Sequence, residues 1–491
     1  MSDDEALEEN KQRPGFRGQA QISEERLLHY IAALLITLSA MLVVWNLQDS
    51  SRKNANTGSR YATVESLVDY GTYSINKSKY VRTIDKYKTG KDFISSKPPV
   101  LPTYAAGTYW VYKKLTGKTI ADHEGSVVRF VSLMTGGLFH VVFLIFFYRL
   151  CLVLMSRHLA IIGSLAAAAF AFLGVGYATS LNNHSTGAAL VIVGLYYAVR
   201  VRVEDRVKDR HWVFSGLALG FASAIDLPSA IFLPLTGIYL GTHNWRKALL
   251  LFGAATLPGI VTQVSLNYSI TDSWKPPYIN RALKDFPEFH WKSGRRSGID
   301  ALKEPKHIYA FNMFFGHHGL FSMTPLTAIG AYELLRKLWH RERLREGLLI
   351  GVGTFVIVNF YLWRTRNYGG WCVGMRHLVP IMPLLLLYFG LWLDRVRINN
   401  YRWTVVVVAF AVSSFHVQDA LSSPWQFSRW HNFLEGRPNR NRLTDKLNLG
   451  DAHSKKRKRA KQKKRRKKSS KKNVSKKRRR QTAKPIPQTQ D

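Results

Sequence analysis

The sequence has few cysteines and few acidic residues. Only Cys151 and Cys372 occur among 491 residues, and the predicted topology puts them on opposite sides of a membrane, which argues against an internal disulfide. Neither cysteine forms a metal site by itself. Asp and Glu number 32 against 71 Lys and Arg, a formal net charge of +39, although 46% of the residues are hydrophobic. One compact soluble domain would not combine these properties, so we expect them to be segregated along the chain.

The positive charge is concentrated near the C-terminus. Residues 455–480 contain 19 basic residues in 26 and almost nothing apolar from which a core could form, so we predict a disordered basic tail at 451–491. It follows a predicted interfacial segment at 418–450. No aromatic residue is interleaved in the run, which argues against nucleic acid because bases would have no stacking platform. We expect the tail to bind anionic lipid or a cell-envelope polymer.

Long apolar runs fill the chain between a polar cytoplasmic leader at 1–26 and this tail. Residues 27–47 contain no Asp, Glu, Lys or Arg, and about 20 such residues suffice to cross a bilayer as a helix. We therefore predict an all-α, polytopic transmembrane bundle of about eleven spans over 27–417. The other runs lie at 127–153, 159–179, 185–200, 213–241, 248–267, 311–334, 347–363, 378–393 and 403–417.

Asp226 interrupts one of these runs. It lies in IDLPS (225–229), where Asp226 and Pro228 are expected to end one helix and begin another. An ionisable group inside a membrane is costly unless it faces protein or water. We therefore expect Asp226 to be either structural or part of a site.

Basic connections predict the orientation of the bundle. The segments 200–210, 244–247, 336–345 and 394–402 are rich in Arg and Lys and belong in the cytoplasm by the positive-inside rule, together with the N-terminus. The opposite face then receives a long first loop at 48–125. Eleven spans would also leave the basic tail outside.

The first outer loop is predicted to carry amphipathic helices on the membrane surface. TGSRYATVESLVDYGTYSI (57–75) has helical apolar spacing that puts Arg60, Glu65 and Asp69 on or beside a polar face. A turn is expected at Thr89–Gly90, and a second short amphipathic helix at 101–115.

Lys97 lies between these helices, in SSKPP (95–99). We expect the two prolines to hold the following chain extended and to present the ammonium group at a fixed depth. The alternative is an ordinary interfacial lysine followed by prolines that start a helix.

Three patches together resemble the GT-C polytopic glycosyltransferases, in particular the bacterial branch of aminoarabinose transferases and protein O-mannosyltransferase-like proteins. They are SRYATVESLVDYGTY, SSKPPVLPTYAAGTYW and RNYGGWCVGMRHLVPIMPLL. The resemblance implies a transferase that moves a sugar from a polyprenyl-phosphate donor to a lipid, glycan or protein acceptor. It also implies a site on the outer face of the bacterial inner membrane. The absence of a glycine-rich nucleotide-binding loop agrees with a lipid-borne donor.

The resemblance implies that Lys97 meets the carrier phosphate. The candidate substrate-binding residues are Arg60, Lys97, Arg376, His377, Asn183 and His184. Arg376 and His377 follow a flexible GGWCVG segment at the mouth of a span, where a positive helix cap is the alternative interpretation. Asn183 and His184 fall in a tight turn that turn chemistry alone could explain.

The catalytic acid is less well defined. The family carboxylate that precedes Arg-Tyr is missing from NANTGSRY, so the inverting mechanism needs another acid or base. The candidates are Asp49, Glu65, Asp69 and Asp226. For each of the first three, a solvated carboxylate on a surface helix is the alternative.

Two further interpretations concern a metal site and a transporter. His317 and His318 are adjacent, and adjacent side chains on a helix diverge by about 100°, so we predict no metal. A transporter or flippase for an anionic lipid or glycolipid could use the same basic patches. Transporters often contain paired broken helices, and the interruption at Asp226 has no partner in the sequence.

Overall fold

The structure is a computed structural model that describes residues 14–50, 54–204, 207–280, 282–284, 286, 289, 304–365 and 367–435. One compact unit spans Met1–Trp430 and a second spans His431–Asp491. The predicted basic tail lies outside the described residues, as does the first half of the leader. The domain boundaries derived from the sequence stay predictions.

Helices dominate the described residues. The α-helices are α1 (Pro14–Trp45), α2 (Ala55–Tyr70), α3 (Val100–Thr116), α4 (Ile120–Ser132), α5 (Leu138–Leu154), α6 (His158–Phe170), α7 (Gly174–Tyr177), α8 (Asn183–Val203), α9 (Arg210–Ile225), α10 (Phe232–Lys247), α11 (Ala254–Thr271), α12 (Lys306–Phe314), α13 (Leu320–Met323), α14 (Pro325–Trp339), α15 (Leu344–Phe360), α16 (Met382–Arg395), α17 (Asn400–Ser422) and α18 (Arg429–Glu435). Short π-helical or 3₁₀ turns occupy Leu133–Gly137, Leu227–Ile231, Ala248–Gly253, Ala282–Lys284, Tyr361–Thr365 and Arg376–Leu378.

The chain is an integral membrane protein, and the predicted helical bundle is confirmed. Within the described ranges, six helical segments are long and apolar enough to cross a bilayer: Ser23–Trp45, Ile120–Leu154, Asn183–Val203, Leu227–Thr271, Leu344–Arg364 and Asn400–Ser422. Helix α6 is apolar but shorter. The figure of about eleven spans stays a prediction, because length and composition alone do not decide which shorter helices cross.

The predicted break at Asp226 is confirmed. Helix α9 ends at Ile225, Asp226 adopts an extended conformation (φ −133°, ψ 95°), and a 3₁₀ turn leads into α10. Another break occurs at Asn244, whose φ of −152° and ψ of 102° are non-helical. This break separates the two apolar runs predicted at 213–241 and 248–267.

Helices α9 and α11 are in close backbone contact. A Cβ on Gly259 of α11 would lie 2.3 Å from the carbonyl carbon of Gly220 in α9. Small residues let membrane helices approach in this way, so that their backbones pack directly. Helix α9 also packs on α8, and this contact brings the start of α8 to the end of α9.

The first loop contains a β-hairpin that an all-α prediction missed. Strands β1 (Lys86–Thr89) and β2 (Asp92–Ser95) are antiparallel and pair Lys86 with Ser95 and Thr89 with Asp92. The turn predicted at Thr89–Gly90 is confirmed, and Gly90 has a φ of +54°. Because residue 86 faces residue 95, Asp85 and Lys97 come to the same open end of the hairpin.

Helix α2 differs from the predicted surface helix. Its residues from Asn56 to Ser66 are buried, and both Arg60 and Glu65 are 2% exposed. The expectation that these two side chains lie on a solvent-facing polar face is therefore wrong. The loop folds back over the helix, since α3 and β2 both pack against it.

The conformation expected after Lys97 is also corrected. Pro99 has helical angles (φ −78°, ψ −21°) and precedes α3 directly. Its carbonyl accepts a bond from the Thr103 amide at 2.9 Å. Pro99 therefore starts a helix and does not extend the chain, because proline is well suited to the first helical turn.

Candidate functional site

The candidate site begins with an ion pair at the open end of the hairpin. Lys97 Nζ lies 2.9 Å from Asp85 Oδ2, and the two side chains are 16% and 17% exposed. The backbone carbonyl of Asp85 accepts bonds from Ser59 Oγ at 2.5 Å and from the Ser96 amide at 3.1 Å. These bonds tie the hairpin to α2 and fix where the ion pair forms.

Arg60 links α2 to α8. Its guanidinium donates to the side-chain oxygens of Asn183 and Asn56. Asn183 Nδ2 in turn donates to Asp226 Oδ1 at 2.7 Å, and His184 Nδ1 lies 3.0 Å from the same oxygen. Asp226 is 1% exposed. A continuous polar network therefore connects Arg60 to the carboxylate at the α9 break.

The N-cap of α8 and a glycine in its second turn position two residues of this network next to Asp226. Asn182 is the N-cap, and its side-chain oxygen accepts from the amides of His184 at 2.7 Å and Ser185 at 3.4 Å. This cap places Asn183 and His184 in the first turn. A Cβ on Gly187 would lie 2.7 Å from the Asp226 Cβ, so glycine there makes room for the carboxylate.

His377 extends the network towards the 3₁₀ turn at Arg376–Leu378. Its ring lies 5.4 Å from that of His184, edge to face, and stacks on Tyr361 at 4.5 Å. His377 Nδ1 is 3.3 Å from the carbonyl oxygen of Asn367. Since a carbonyl only accepts, this nitrogen donates and the other ring nitrogen is left as the acceptor.

Arg376 completes the set of cations. Its guanidinium carbon lies 5.3 Å from the ring centre of Trp425. Its Nε is buried and, within the described residues, has no hydrogen-bond partner. No carboxylate of the described ranges forms an ion pair with it.

Arg60, Lys97 and Arg376, which we call the cation cluster, interact electrostatically with one another and with Asp85. Burial alone would raise the pKa of Asp85, but the cluster outweighs it and holds that pKa below its usual value. Burial lowers the pKa of Lys97, and the two arginines lower it further against the opposing effect of Asp85. The site is therefore rich in positive charge.

The pKa values of Arg60 and of the neighbouring His377 are also shifted. Burial lowers the pKa of Arg60, Arg376 adds to the effect, and Asp85 and Asp226 oppose it. Burial, followed by repulsion from Arg376 and His184, holds the pKa of His377 well below its ordinary range. His377 is therefore neutral at neutral pH.

Chemically, the arrangement fits an anion. Guanidinium and ammonium donors at short range are the groups that proteins use to bind phosphate. The neutral His377 and the two carboxylates, Asp85 and Asp226, are groups that can accept a proton. A phosphate-bearing substrate and a proton transfer can therefore be accommodated side by side.

The structure brings together seven of the residues selected from the sequence: Arg60, Lys97, Asn183, His184, Asp226, Arg376 and His377. Three predicted acids have other surroundings. Asp49 is 57% exposed and 3.5 Å from Arg129. Among the described residues, none of these three acids contacts the cation cluster.

The other two acids hold the first loop together. Glu65 accepts bonds from Ser78 Oγ at 2.5 Å and from the Lys79 amide at 3.0 Å. Asp69 pairs with Lys113 at 2.7 Å and accepts from Tyr109 Oη. Burial raises the pKa of Glu65, although its two donors oppose the shift. These contacts join segments of the loop, so a structural role accounts for both carboxylates.

Asp85 is the residue that the sequence reasoning missed. It lies in TIDKYKTGKDF, directly before β1, whereas Lys97 follows β2. The Thr89–Gly90 turn was the signal that could have found it. Pairing residues outward from that turn puts Asp85 opposite Ser96 and next to Lys97.

Of the remaining singled-out residues, Cys372 lies in the same loop as Arg376, and the others lie elsewhere. His317 and His318 are buried against Tyr368, with ring centres 5.0 and 4.7 Å from the tyrosine ring. The expectation that they bind no metal stays a prediction. Cys151 and Cys372 are both free and buried.

Comparisons with known proteins give fold-level matches only. No family model matches the chain, and no curated protein matches it in sequence. It is similar to the structure of ArnT from Cupriavidus metallidurans in the apo state, at 17% identity and a TM-score of 0.48 over 77% of this chain and 62% of that one. The same protein bound to undecaprenyl phosphate matches at 16% identity and a TM-score of 0.45, over 82% and 69% of the two chains.

An oligosaccharyltransferase from Archaeoglobus fulgidus in its apo form is also similar. The identity is 11% and the TM-score 0.46, over 81% of this chain and 57% of that chain. All three TM-scores lie below 0.5. The chain spans 62% of the length of the apo ArnT structure and 57% of the oligosaccharyltransferase.

Proposed function

We propose that this protein is a membrane glycosyltransferase that moves a sugar from a polyprenyl-phosphate donor to a lipid, glycan or protein acceptor at the outer face of a bacterial inner membrane. The observation that carries the proposal is the cation cluster, in which Lys97 pairs with Asp85 and both arginines interact electrostatically with this pair. The first loop supplies Arg60, Asp85 and Lys97, and a loop far away in the chain supplies Arg376. Arg60 is buried and Lys97 and Arg376 are partly buried, and three such cations beside one carboxylate are costly to assemble unless they bind an anion.

The cluster suits the bond that this reaction breaks. When the bond between the sugar C1 and the phosphate oxygen breaks, its electron pair stays on the oxygen and the phosphate gains a negative charge. Preorganised cations stabilise such developing charge without reorganisation. Lys97 and the two arginines are the donors we assign to the phosphate oxygens.

Asp85 is the group that we assign to the acceptor side. The acceptor oxygen or nitrogen bonds to C1 and loses a proton, which a carboxylate can take. A phosphate that binds Lys97 competes with Asp85 for the ammonium group. Loss of that partner raises the basicity of Asp85 at the moment when a base is needed.

Asp226 has a different proposed role. It contacts Asn183 and His184, and Asn183 holds Arg60. We therefore assign Asp226 to positioning, because it acts on the phosphate through the orientation of Arg60. Of the four acids selected from the sequence, it is the one that we retain in the site.

A transfer assay tests the function directly. The full-length protein in lipid nanodiscs is supplied with undecaprenyl-phosphate-linked sugars, in parallel with nucleotide sugars, and a bacterial lipid and glycan extract as acceptors. We expect release of undecaprenyl phosphate and a glycosylated product by mass spectrometry from the lipid-linked donors alone. Movement of the intact lipid between leaflets of vesicles without sugar release would favour the transporter alternative and contradict the proposal.

A further inference from the structure

The loop that carries Arg376 is built around glycines. Gly369, Gly370 and Gly374 have φ angles of +109°, +79° and +65°, which side chains larger than hydrogen adopt with strain. The loop is anchored at Val373, whose carbonyl accepts from Tyr177 Oη at 2.9 Å and whose amide donates to the Pro424 carbonyl at 3.1 Å. Arg376 therefore leaves a loop with a fixed backbone path.

Arg376 is enclosed on two sides. The indole of Trp425 lies 5.3 Å from its guanidinium carbon. Close to the side chain lies the backbone of Gly369, where an added Cβ would be 2.8 Å from Arg376 Cγ and 2.9 Å from its Nε. Heavy atoms do not approach that closely, so any side chain at position 369 would displace the arginine.

Packing, and not hydrogen bonding, holds this guanidinium. In the part of the chain that the structure describes, Arg376 Nε has no acceptor, and a buried donor without an acceptor is unfavourable. The indole face attracts the cation without using its N–H groups. Within the described residues, the Nε donor is therefore not committed to a protein acceptor.

We propose that Gly369 and Trp425 are positioning residues that hold Arg376 ready to bind the donor phosphate. The inference rests on the proposed function and adds to it two residues that contact Arg376. A donor group fixed in its binding orientation loses no conformational freedom when the ligand arrives. Substitutions at either residue should weaken phosphate binding without removing a charge.

The chain supplies a matched control at the neighbouring glycine. Gly370 also has a positive φ, and a Cβ there would meet nothing within 4 Å. Gly369→Ala and Gly370→Ala therefore both place an alanine at a positive φ, but only the Cβ of Gly369→Ala meets other atoms, namely Arg376 Cγ and Nε and Cys372 Sγ at 3.0 Å. We expect the dissociation constant of undecaprenyl phosphate, measured by native mass spectrometry in nanodiscs, to rise about tenfold or more for Gly369→Ala. Gly370→Ala should stay within about threefold of the wild type.

Two further measurements separate positioning from general destabilisation. In an Arg376→Ala background, Gly369→Ala should have almost no additional effect, because a residue that acts through Arg376 loses its influence when that side chain is absent. Trp425→Phe keeps an aromatic face and should bind undecaprenyl phosphate more tightly than Trp425→Leu. The Trp425 pair also provides the test if Gly369→Ala does not fold.

The outcomes distinguish the positioning role of Gly369 and Trp425 from the proposed function on which it rests. Wild-type protein that does not bind undecaprenyl phosphate overturns both. Wild-type binding together with unchanged affinity in Gly369→Ala, or with full additivity of Gly369→Ala and Arg376→Ala, overturns the positioning role alone.

Discussion

Lys97 and Asp85 form an ion pair of 2.9 Å at the open end of the β1–β2 hairpin. Under the proposed function, Asp85 occupies the position beside Lys97 that the donor phosphate would take. The carboxylate faces the same cations that a phosphate would face. An internal anion of this kind offsets part of the positive charge of the cluster. It also couples ligand binding to the protonation of Asp85.

Lys97→Ala is expected to abolish transfer while expression and membrane insertion stay normal. A hydrogen bond to a charged group contributes about 1.5–3 kcal/mol, and Asp85 would lose its ion-pair partner at 2.9 Å. Lys97→Arg should rescue only in part, because a planar guanidinium reaches the phosphate differently. Lys91→Ala, at the exposed tip of the same hairpin, is the control and should keep wild-type turnover. Unchanged turnover in Lys97→Ala would remove this lysine from the site.

Asp85→Asn should separate binding from catalysis. The substitution removes the anion that competes for Lys97, so undecaprenyl phosphate should bind about as tightly as in the wild type or more tightly. Turnover should fall by about 10²–10⁴-fold, the usual contribution of a general base. Titration of the ligand and initial rates measure the two effects. Weaker binding with normal turnover would assign Asp85 a structural role.

Asp85 also predicts a pH dependence of stability. Its pKa in the folded protein is lowered, so its ionised form contributes stability above its unfolded pKa of about 3.9, and the contribution is lost as pH falls through the folded value. The thermal unfolding midpoint of the wild type should therefore decrease below about pH 4. The decrease should be smaller for Asp85→Asn, and intrinsic tryptophan fluorescence in detergent measures both. Identical acid profiles would show that the carboxylate contributes no linked stability.

Substituting Asp226 should affect both folding and donor affinity. Asp226→Ala leaves the Asn183 amide and His184 buried without their shared acceptor, a loss of about 1–3 kcal/mol. Arg60 then loses its orientation, and undecaprenyl phosphate should bind more weakly. Asp49→Ala is the control, because an exposed carboxylate should change stability by less than about 0.5 kcal/mol. Loss of transfer in Asp49→Ala with Asp226→Ala active would reverse our assignment of these acids.

The side of the membrane that holds the C-terminus is a separate prediction. Positive residues act on topology within about 15–20 residues of a span, and the basic run begins at residue 455, well beyond Ser422 at the end of α17. The charge of the tail therefore does not oppose the outside placement that eleven spans from a cytoplasmic N-terminus predict. We expect the tail to lie outside, in contact with anionic lipid or envelope polymer. Alkaline phosphatase fused after residue 491 should be active, and green fluorescent protein at the same position should stay dark. The reverse pattern would place the tail in the cytoplasm and reduce the number of crossings by one.

Much of the fold is local information. An apolar run of about 20 residues has few alternatives to a helix in a bilayer, and Asp226 with Pro228 ends a helix wherever it lies. For the same reason the turn at Thr89–Gly90 and the side-chain chemistry of Lys97 could be recognised in the sequence. These features depend on neighbours within a few residues.

Tertiary structure decided which charges meet. Arg60 reaches Asn183 across 123 positions of the chain, and neither residue's own neighbours specify the other. The burial of Glu65 and the separation of Asp49 and Asp69 from the cation cluster likewise follow from how the first loop folds over α2. Asp85, the acid nearest Lys97, is an intermediate case, because the turn at Thr89–Gly90 sets the register that pairs the two strands, whereas only the fold brings Arg60 and Arg376 to this pair.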